Sequence, residues 1–500
     1  MTKEILRDFA KIVNSDRYQY TESEIFVKNH MENSVGVFDF YFRKTEDGGF
    51  AVVSGISEII EFIEIINETS YETKKFYYEE LIQNTELLEY LCNMKFTGDI
   101  YGLKDGEICY PNEPILTIKA PLIQGKILET PILNMLNYQM AIASKTSRVT
   151  RAAGETPVSA FGTRRAHGFD SAVYGNKASI IAGCYNHSNL MTELKFGLPS
   201  IGTMSHSYIQ SFGIGVESEY RAFDTCIKGR RDKNGSLVLL VDTYSVKSGV
   251  KNAIKAFKEN GVDDNYKGIY GIRIDSGDLA YLSKFAKKEF FNEGFLKATI
   301  TLTNGLDEDL ILSLKEQCAK VDFFGVGDAI AVSKSNPCFG GVYKIVEIDE
   351  KPLIKLSEDS IKISNPGFKT LIRLYKNNEA VGDLIGLMKK DSDIENIKKK
   401  KKFTFICESE RYKKTIFDKD TYTYKTLTEQ FVKNGKFIGN KEYFLNIEKQ
   451  RNYYLESLLT LSEEHKRLKY QHKYKVNISN DLYNMKYNLI EQINNELEGV

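Results

Sequence analysis

Between about residues 122 and 345, short apolar runs alternate with helical stretches, and each run ends in polar or glycine-rich residues. "LVLLVDTYS" is followed by a helical stretch at 248–260 and then by "GIYGIRIDSGDL". A helix, "ATITLTNGLDED", another helix, "VDFFGVGDAI" and finally "GGVYKIVEI" complete the series. No other feature constrains the fold as strongly. Strands alternating with helices predict a parallel α/β sheet or barrel. In such a fold the strand C-termini are where ligands are met.

The flanks read differently. "VGVFDFYF" (35–42) is aromatic and β-branched and predicts a strand, with "KTEDGGFAVV" as a hairpin turn into another. "ISEIIEFIEIINE" (56–68) has helical spacing with Ser54 placed to cap it. "GEICYPNEPILTIKAP" (106–121) predicts strand, turn, strand, since Pro111, Pro114 and Pro121 keep helix out. Beyond 346, "PLIKLSEDSIKISNPGFKTLIRLY" is β-rich and is expected to return to the first domain, while 441–500 reads as helices broken near "KYKVNIS". The expected segments are therefore 1–121, an α/β domain; 122–345, an irregular α/β barrel; 346–440, β-rich; and 441–500, a helical extension.

Lys plus Arg equals Asp plus Glu at 68 each, so the global field points to neither nucleic acid nor an anionic membrane. A local basic pocket for a small anion remains compatible with this balance. The "KKKKK" run (398–402) reads as a solvated loop, because nothing aromatic is interleaved for base stacking. No apolar run approaches the roughly 20 residues that span a bilayer. The first 20 residues lack the apolar core of a signal peptide. Seven scattered cysteines without CxxC spacing fit reduced thiols in a cytoplasmic protein.

Four strand tips carry the chemistry. "FGTRRAHG" (161–168) sets Arg164 and Arg165 beside glycines, suited to a carboxylate or phosphate, or else to a structural ion pair. "IRIDSGDL" (272–279) puts Arg273 and Asp275 on one face of a strand end. Asp278 reads equally well as a helix N-cap. "LTNGLDE" (302–308) and "FGVGDAI" (324–330) are consecutive glycine-containing tips, each opening a helix, and together suggest a shared phosphate. The chain has only six histidines, and "GTMSHSY" (202–208) puts one, His206, at a Gly-Thr turn. It is either a histidine bonded locally or one held with a ring nitrogen free for chemistry. No GxGxxG, Walker or HExxH motif occurs.

In order along nearly the whole chain, "SDRYQYTESEIF", "PNEPILTIKAPLIQGKILETPILNMLNYQ", "FGTRRAHG…HSN…FGLPSIGTMSHSY", "LVDTYS", "IRIDSGDL", "TNGLDE", "GVGDAI…GGVYKIV", "NPGFKTLIRLY" and "YKVNISNDLYNMKYNLI" resemble the nicotinate phosphoribosyltransferases, type II phosphoribosyltransferases. Ser205 stands where the family pattern leads one to expect alanine, and Thr163 where leucine is frequent. The resemblance implies an N-terminal α/β domain, an irregular α/β barrel and a C-terminal part packing back. It also implies a cytoplasmic homodimer with a shared active site, with no nucleic acid or membrane partner.

The implied reaction joins nicotinate to 5-phosphoribosyl 1-pyrophosphate with Mg²⁺, coupled to ATP through a phosphohistidine at His206. Arg273 and Asp275 would face the phosphoribosyl part, with Asp275 also an Mg²⁺ ligand. Asn304, Gly305, Gly325 and Gly327 would line the 5′-phosphate. Tyr18, Phe161, Thr163, Arg164, Arg165, Gly202, Thr203 and Ser207 would bind substrate, Tyr18 by stacking across the dimer. The alternatives are a nicotinamide phosphoribosyltransferase and a catalytically silent, metabolite-binding relative.

Overall fold

A computed structural model describes residues 11–45, 49–233, 235–359, 362–397, 402–408, 410, 412 and 414–499. These residues form two compact units. One is Ile142–Pro337; the other joins the described residues up to Ala141 with those from Cys338 onward.

Ile142–Pro337 is built on six strands in the order Asn186–His187, Val158–Ala160, Phe323–Val326, Thr299–Leu302, Tyr270–Ile274, Leu237–Leu240. Every neighbouring pair is parallel. Helices Phe169–Ile181, Val246–Glu259, Leu279–Asn292 and Glu308–Glu316 fill the connections. The strands are covered on both faces, which is why they read as continuous apolar runs. Leu239, Ile272, Ile300 and Phe324 are fully buried. The result is a half-barrel whose strand C-termini all lie at one edge. Ladder bonds continue past the strands into the tips. Phe161 N donates to Val326 O at 2.8 Å, Val241 N to Arg273 O at 3.2 Å and Thr303 N to Ile274 O at 3.0 Å.

The other unit holds two large sheets and a two-stranded one. A seven-stranded antiparallel sheet runs Lys351–Pro352, Gly341–Ile348, Val35–Phe42, Leu116–Pro121, Asp99–Gly102, Glu429–Lys433, Lys436–Phe437. A six-stranded sheet runs Lys414–Asp418, Lys402–Ile406, Val476–Ser479, Glu379–Leu387, Lys369–Lys376, Thr423–Thr426. Its one parallel pair is Glu379–Leu387 with Val476–Ser479. Phe38, Phe40, Ile59, Ile118, Leu371 and Phe431 share a single apolar core. Residues from both ends of the chain thus bury the same surface.

Several expectations are revised. The compact units divide the chain at Ala141/Ile142, not after residue 121, because Ile123, Ile132, Leu136 and Met140 pack into the core that holds Phe38. Ala51–Val52 pairs with Ile108–Cys109 and not with Val35–Phe42, both of whose edges are already taken. Residues 46–48 of that expected hairpin lie outside the described residues. Ser54 does not cap the helix Ile56–Glu68: its N-cap is Gly55, and Asp105 accepts from Ile56 N at 2.9 Å and Ser57 N at 3.0 Å. The break near "KYKVNIS" is a strand, Val476–Ser479, that leads into the helix Asn480–Glu498. Of the lysine run, 398–401 lie outside the described residues, and Lys402 opens a strand. The seven cysteines are all free. No helix among the described residues is long and apolar enough to cross a membrane.

Candidate active site

The C-terminal edge of the parallel sheet borders a cleft of about 790 Å³, within the usual range for small-ligand sites. Phe161, Thr163, Arg164, Gly202, Thr203 and Arg273 line it. Arg230, at the end of the helix Val216–Arg230, lines it too. Three guanidinium groups thus border a space with no carboxylate among the described lining residues.

Arg273 and Asp275 alternate along the Tyr270–Ile274 strand and its extension, so they share a face. Arg273 Nη2 lies 2.9 Å from Asp275 Oδ2. Thr303, at the next strand tip, ties both together: its hydroxyl accepts from Arg273 Nε at 2.9 Å and donates to Asp275 Oδ1 at 2.5 Å. Arg273 Nη1 also reaches Thr203 Oγ1 at 3.4 Å. The guanidinium is therefore fixed by three neighbours before any ligand arrives. Asp278 is the N-cap of Leu279–Asn292, accepting from Tyr281 N.

His206 opens the short helix His206–Gln210, whose N-cap Ser205 accepts from Tyr208 N. Ser205 and Ser207 hydroxyls bond each other at 2.8 Å. His206 Nδ1 is 3.1 Å from Thr243 Oγ1, and Nε2 is 3.9 Å from Asp242 Oδ1. The His206 side chain is 42% exposed and that of Asp242 is 1% exposed. Ser276 donates to Asp242 Oδ2 at 2.5 Å, while Oδ1 has no hydrogen-bond partner among the described residues. A buried carboxylate with one oxygen unmet is costly unless a proton donor or cation completes it. His187 provides the contrast. It is fully buried, Nε2 donates to Leu198 O and Nδ1 accepts from Asn189 N, and burial lowers its pKa. Both its nitrogens are occupied structurally; His206 is the half-exposed one.

Behind Asp242 stands Glu219, fully buried, its Oε2 accepting from Asn252 at 2.9 Å. Burial, helped by the charge of Asp242, pushes its carboxyl up to about 7.

Arg164 and Arg165 occupy a 3-10 turn, Thr163–Arg165, and both are exposed. Neither joins an ion pair among the described residues, so the structural ion-pair reading is set aside. The pair does not act as one in the fold: Arg164 lines the cleft, and Arg165 is not among its lining residues. The glycine tips also differ from one another. Asn304 and Gly305 form an exposed left-handed turn, φ +83° and +61°. In the helix that follows, Asp307 caps Glu308–Glu316 and accepts from Leu310 N. Gly325 is buried within its strand, where a Cβ would sit 2.6 Å from Thr303 and 2.7 Å from Phe161. Gly327 is the N-cap of the short helix Asp328–Ala331. Tyr18 lies on the helix Arg17–Lys28 of the other unit, and burial followed by Glu129 pushes its hydroxyl up to about 12.

Asp242, Thr243, Ser276 and Thr303 were not singled out in the sequence. Their signal was present: a Thr or Asp immediately after an apolar run, in "LVDTYS" and "LTNG".

Comparison with known proteins accords with this geometry. The family model described as nicotinate phosphoribosyltransferase N-terminal domain matches residues 13–137, and that of the C-terminal domain matches 368–486. The nicotinate phosphoribosyltransferase of Bacillus subtilis is 33% identical over 98% of both chains. That of Dictyostelium discoideum is 32% identical over 78% of this chain and 72% of its own. The crystal structure of human nicotinic acid phosphoribosyltransferase superposes with a TM-score of 0.78 at 21% identity, covering 95% of this chain and 99% of that one. This chain belongs to the nicotinate phosphoribosyltransferase family.

Proposed function

We propose that this chain joins nicotinate to 5-phosphoribosyl 1-pyrophosphate, giving nicotinate mononucleotide and pyrophosphate, a salvage step towards pyridine dinucleotides. The observation that carries this reading is the arginine-lined cleft at the strand C-termini, since both substrates are anions. As pyrophosphate leaves C1 of the ribose, positive charge builds on the sugar and the nicotinate nitrogen attacks it. No side chain needs to bond covalently to the sugar. The protein orients the two reactants and stabilises the departing polyanion.

In this reading Arg273, held by Thr303 and Asp275, faces the phosphoribosyl group. Arg164 meets the nicotinate carboxylate or the pyrophosphate. The Asn304–Gly305 turn and the tip at Gly327 offer backbone amides to the 5′-phosphate, and Gly325 keeps Phe161 close to that tip. Tyr18 of a second copy in a homodimer stacks on the base.

The donor set suits Mg²⁺, which takes one or two carboxylates and fills its octahedron with water and substrate phosphate. Asp275 is the carboxylate that would hold it, its oxygens now shared with Thr303 and Arg273. When bound, the ion supplies charge neutralisation for the pyrophosphate.

ATP coupling is assigned to His206. With Asp242 facing Nε2, the nucleophile is Nδ1, which the Thr243 hydroxyl now orients. Nδ1 bonds the γ-phosphorus, the bond from that phosphorus to the β-γ bridging oxygen breaks, and ADP leaves. Incubating the protein with γ-labelled ATP should give an acid-labile, base-stable label absent from His206→Asn. That variant should still form mononucleotide from nicotinate, donor and Mg²⁺, though without stimulation by ATP. Label that persists in His206→Asn moves the coupling elsewhere; no mononucleotide from the wild-type chain rejects the transferase reading.

A further inference from the structure

A cavity of about 1670 Å³ lies wholly within the unit that joins both ends of the chain. None of its described lining residues is among those of the arginine-lined cleft. Among the described residues, seven Lys and Arg side chains line it against three carboxylates. In a chain whose formal net charge is zero, this is a marked local excess of positive charge.

Two of these cations are committed to the fold. Lys369 is buried against Asp39 at 2.8 Å, and Lys486 pairs with Glu408. Arg43, Lys44, Lys414 and Lys475 join no ion pair among the described residues. They arrive from three separate places. Arg43 and Lys44 follow the strand Val35–Phe42, Lys414 opens Lys414–Asp418, and Lys475 precedes Val476–Ser479. Three lining donor groups also lack hydrogen-bond partners among the described residues, the Tyr41 hydroxyl being one. Arg43 Nε is buried with no hydrogen bond. Tyr110, 3% exposed and stacked on Tyr474 at 3.8 Å, has a hydroxyl with no partner among the described residues. Buried donors without acceptors are uncommon and call for an explanation. Ile385 and Ile478 provide an apolar floor.

We propose that this cavity is a second anion site, taking a condensed di- or triphosphate, either inorganic or carried by a nucleoside. Four unmatched cations balance the three to four negative charges of a triphosphate. The phosphate oxygens would accept from Arg43 Nε and from the Tyr41 and Tyr110 hydroxyls, lining donors without a hydrogen-bond partner among the described residues. The volume exceeds the usual range for small ligands, so a nucleoside fits beside the phosphates. Occupancy would tie the strand Val35–Phe42 to the sheet formed by the C-terminal half of the chain.

The test is local and does not depend on catalysis. The full chain is acetylated with a lysine-reactive ester and each site is followed by peptide mass spectrometry. Millimolar tripolyphosphate should slow modification of Lys414 and Lys475 about fivefold or more. It should leave Lys28 and Lys228, exposed and on other surfaces, unchanged. The double variant Lys414→Glu/Lys475→Glu, shown to be folded by an unchanged melting profile, should lose the protection at Lys44. Protection by ATP at lower concentration than by tripolyphosphate identifies the nucleotide as the source; protection by tripolyphosphate alone identifies the inorganic anion. Equal reactivity with and without either anion overturns the proposal. So does protection that sodium sulfate reproduces at matched ionic strength.

Discussion

Arg164 and Arg165 are neighbours in the chain with different surroundings, and this divides their expected effects. Arg164 lines the cleft; Arg165 does not. Replacing Arg164 by Ala should raise the apparent KM for nicotinate or for the phosphoribosyl donor by roughly tenfold or more, the worth of a charge-assisted hydrogen bond of about 1.5–3 kcal/mol. Arg165→Ala should stay within about threefold of wild type on both. Steady-state kinetics with each substrate varied in turn decides this, and equal losses in the two variants would restore the pair as a unit. Glu219 gives a second prediction at this scale. Its carboxyl is pushed up to about 7 in the folded chain, against about 4.5 unfolded. Between these values the folded state binds the extra proton, so its stability falls as pH rises through that window. Glu219→Gln should flatten this part of the pH–stability curve, measured as urea midpoints from pH 4.5 to 8. A slope unchanged in the variant would remove Glu219 as its source. Little of this was legible in the sequence. Arg273 and Asp275 stand two residues apart, and strand alternation was enough to put them on one face. The Thr303 hydroxyl that joins them, and the Ser276–Asp242 bond, link residues 28 and 34 positions apart. Those contacts depend on which strands lie side by side, which apolar patterning does not specify.

At the scale of elements, the sequence showed the alternation of strand and helix but not the close approaches that set the tips. Gly249 illustrates this. It sits in the first turns of the helix Val246–Glu259, and a Cβ there would lie 2.1 Å from Val241 O. The helix therefore packs directly on the backbone that presents Asp242 and Thr243. Gly249→Ala must push the helix away, at a cost of about 1–3 kcal/mol typical of overpacking. The account predicts a lowered melting temperature together with a loss of His206 phosphorylation larger than the loss of folded protein. A variant with wild-type stability and labelling would show that this contact yields freely. Ala51–Val52 illustrates the converse. Its strand character was legible, but its partner, Ile108–Cys109, was not, because the expected neighbour already had both edges filled.

At the scale of the whole molecule, the two ends of the chain meet in one unit around a buried ion network. Arg373, 1% exposed, bonds Asp383 through Nε at 2.9 Å and Nη2 at 2.6 Å, and Glu107 through Nη1 at 2.8 Å. Glu113 lies in the same interior, its carboxyl held well above the usual range by burial and then by Asp383. Removing the only guanidinium in these contacts leaves buried carboxylates uncompensated. Arg373→Met should cost about 3–5 kcal/mol in denaturant unfolding. A loss below about 1 kcal/mol would mean that water or proton uptake compensates the acids. The sequence indicated that the C-terminal half returns to the N-terminal part, from its renewed β pattern. It did not indicate this network, whose Arg373–Glu107 bond joins residues 266 positions apart. The most direct test of the account as a whole presents the purified chain with equal concentrations of nicotinate and nicotinamide, together with phosphoribosyl pyrophosphate, Mg²⁺ and ATP. The two bases are nearly the same size, so charge has to discriminate, and an arginine-lined cleft favours the carboxylate. Nicotinate mononucleotide should exceed nicotinamide mononucleotide by about tenfold or more; equal amounts, or an excess of the amide product, would contradict the account.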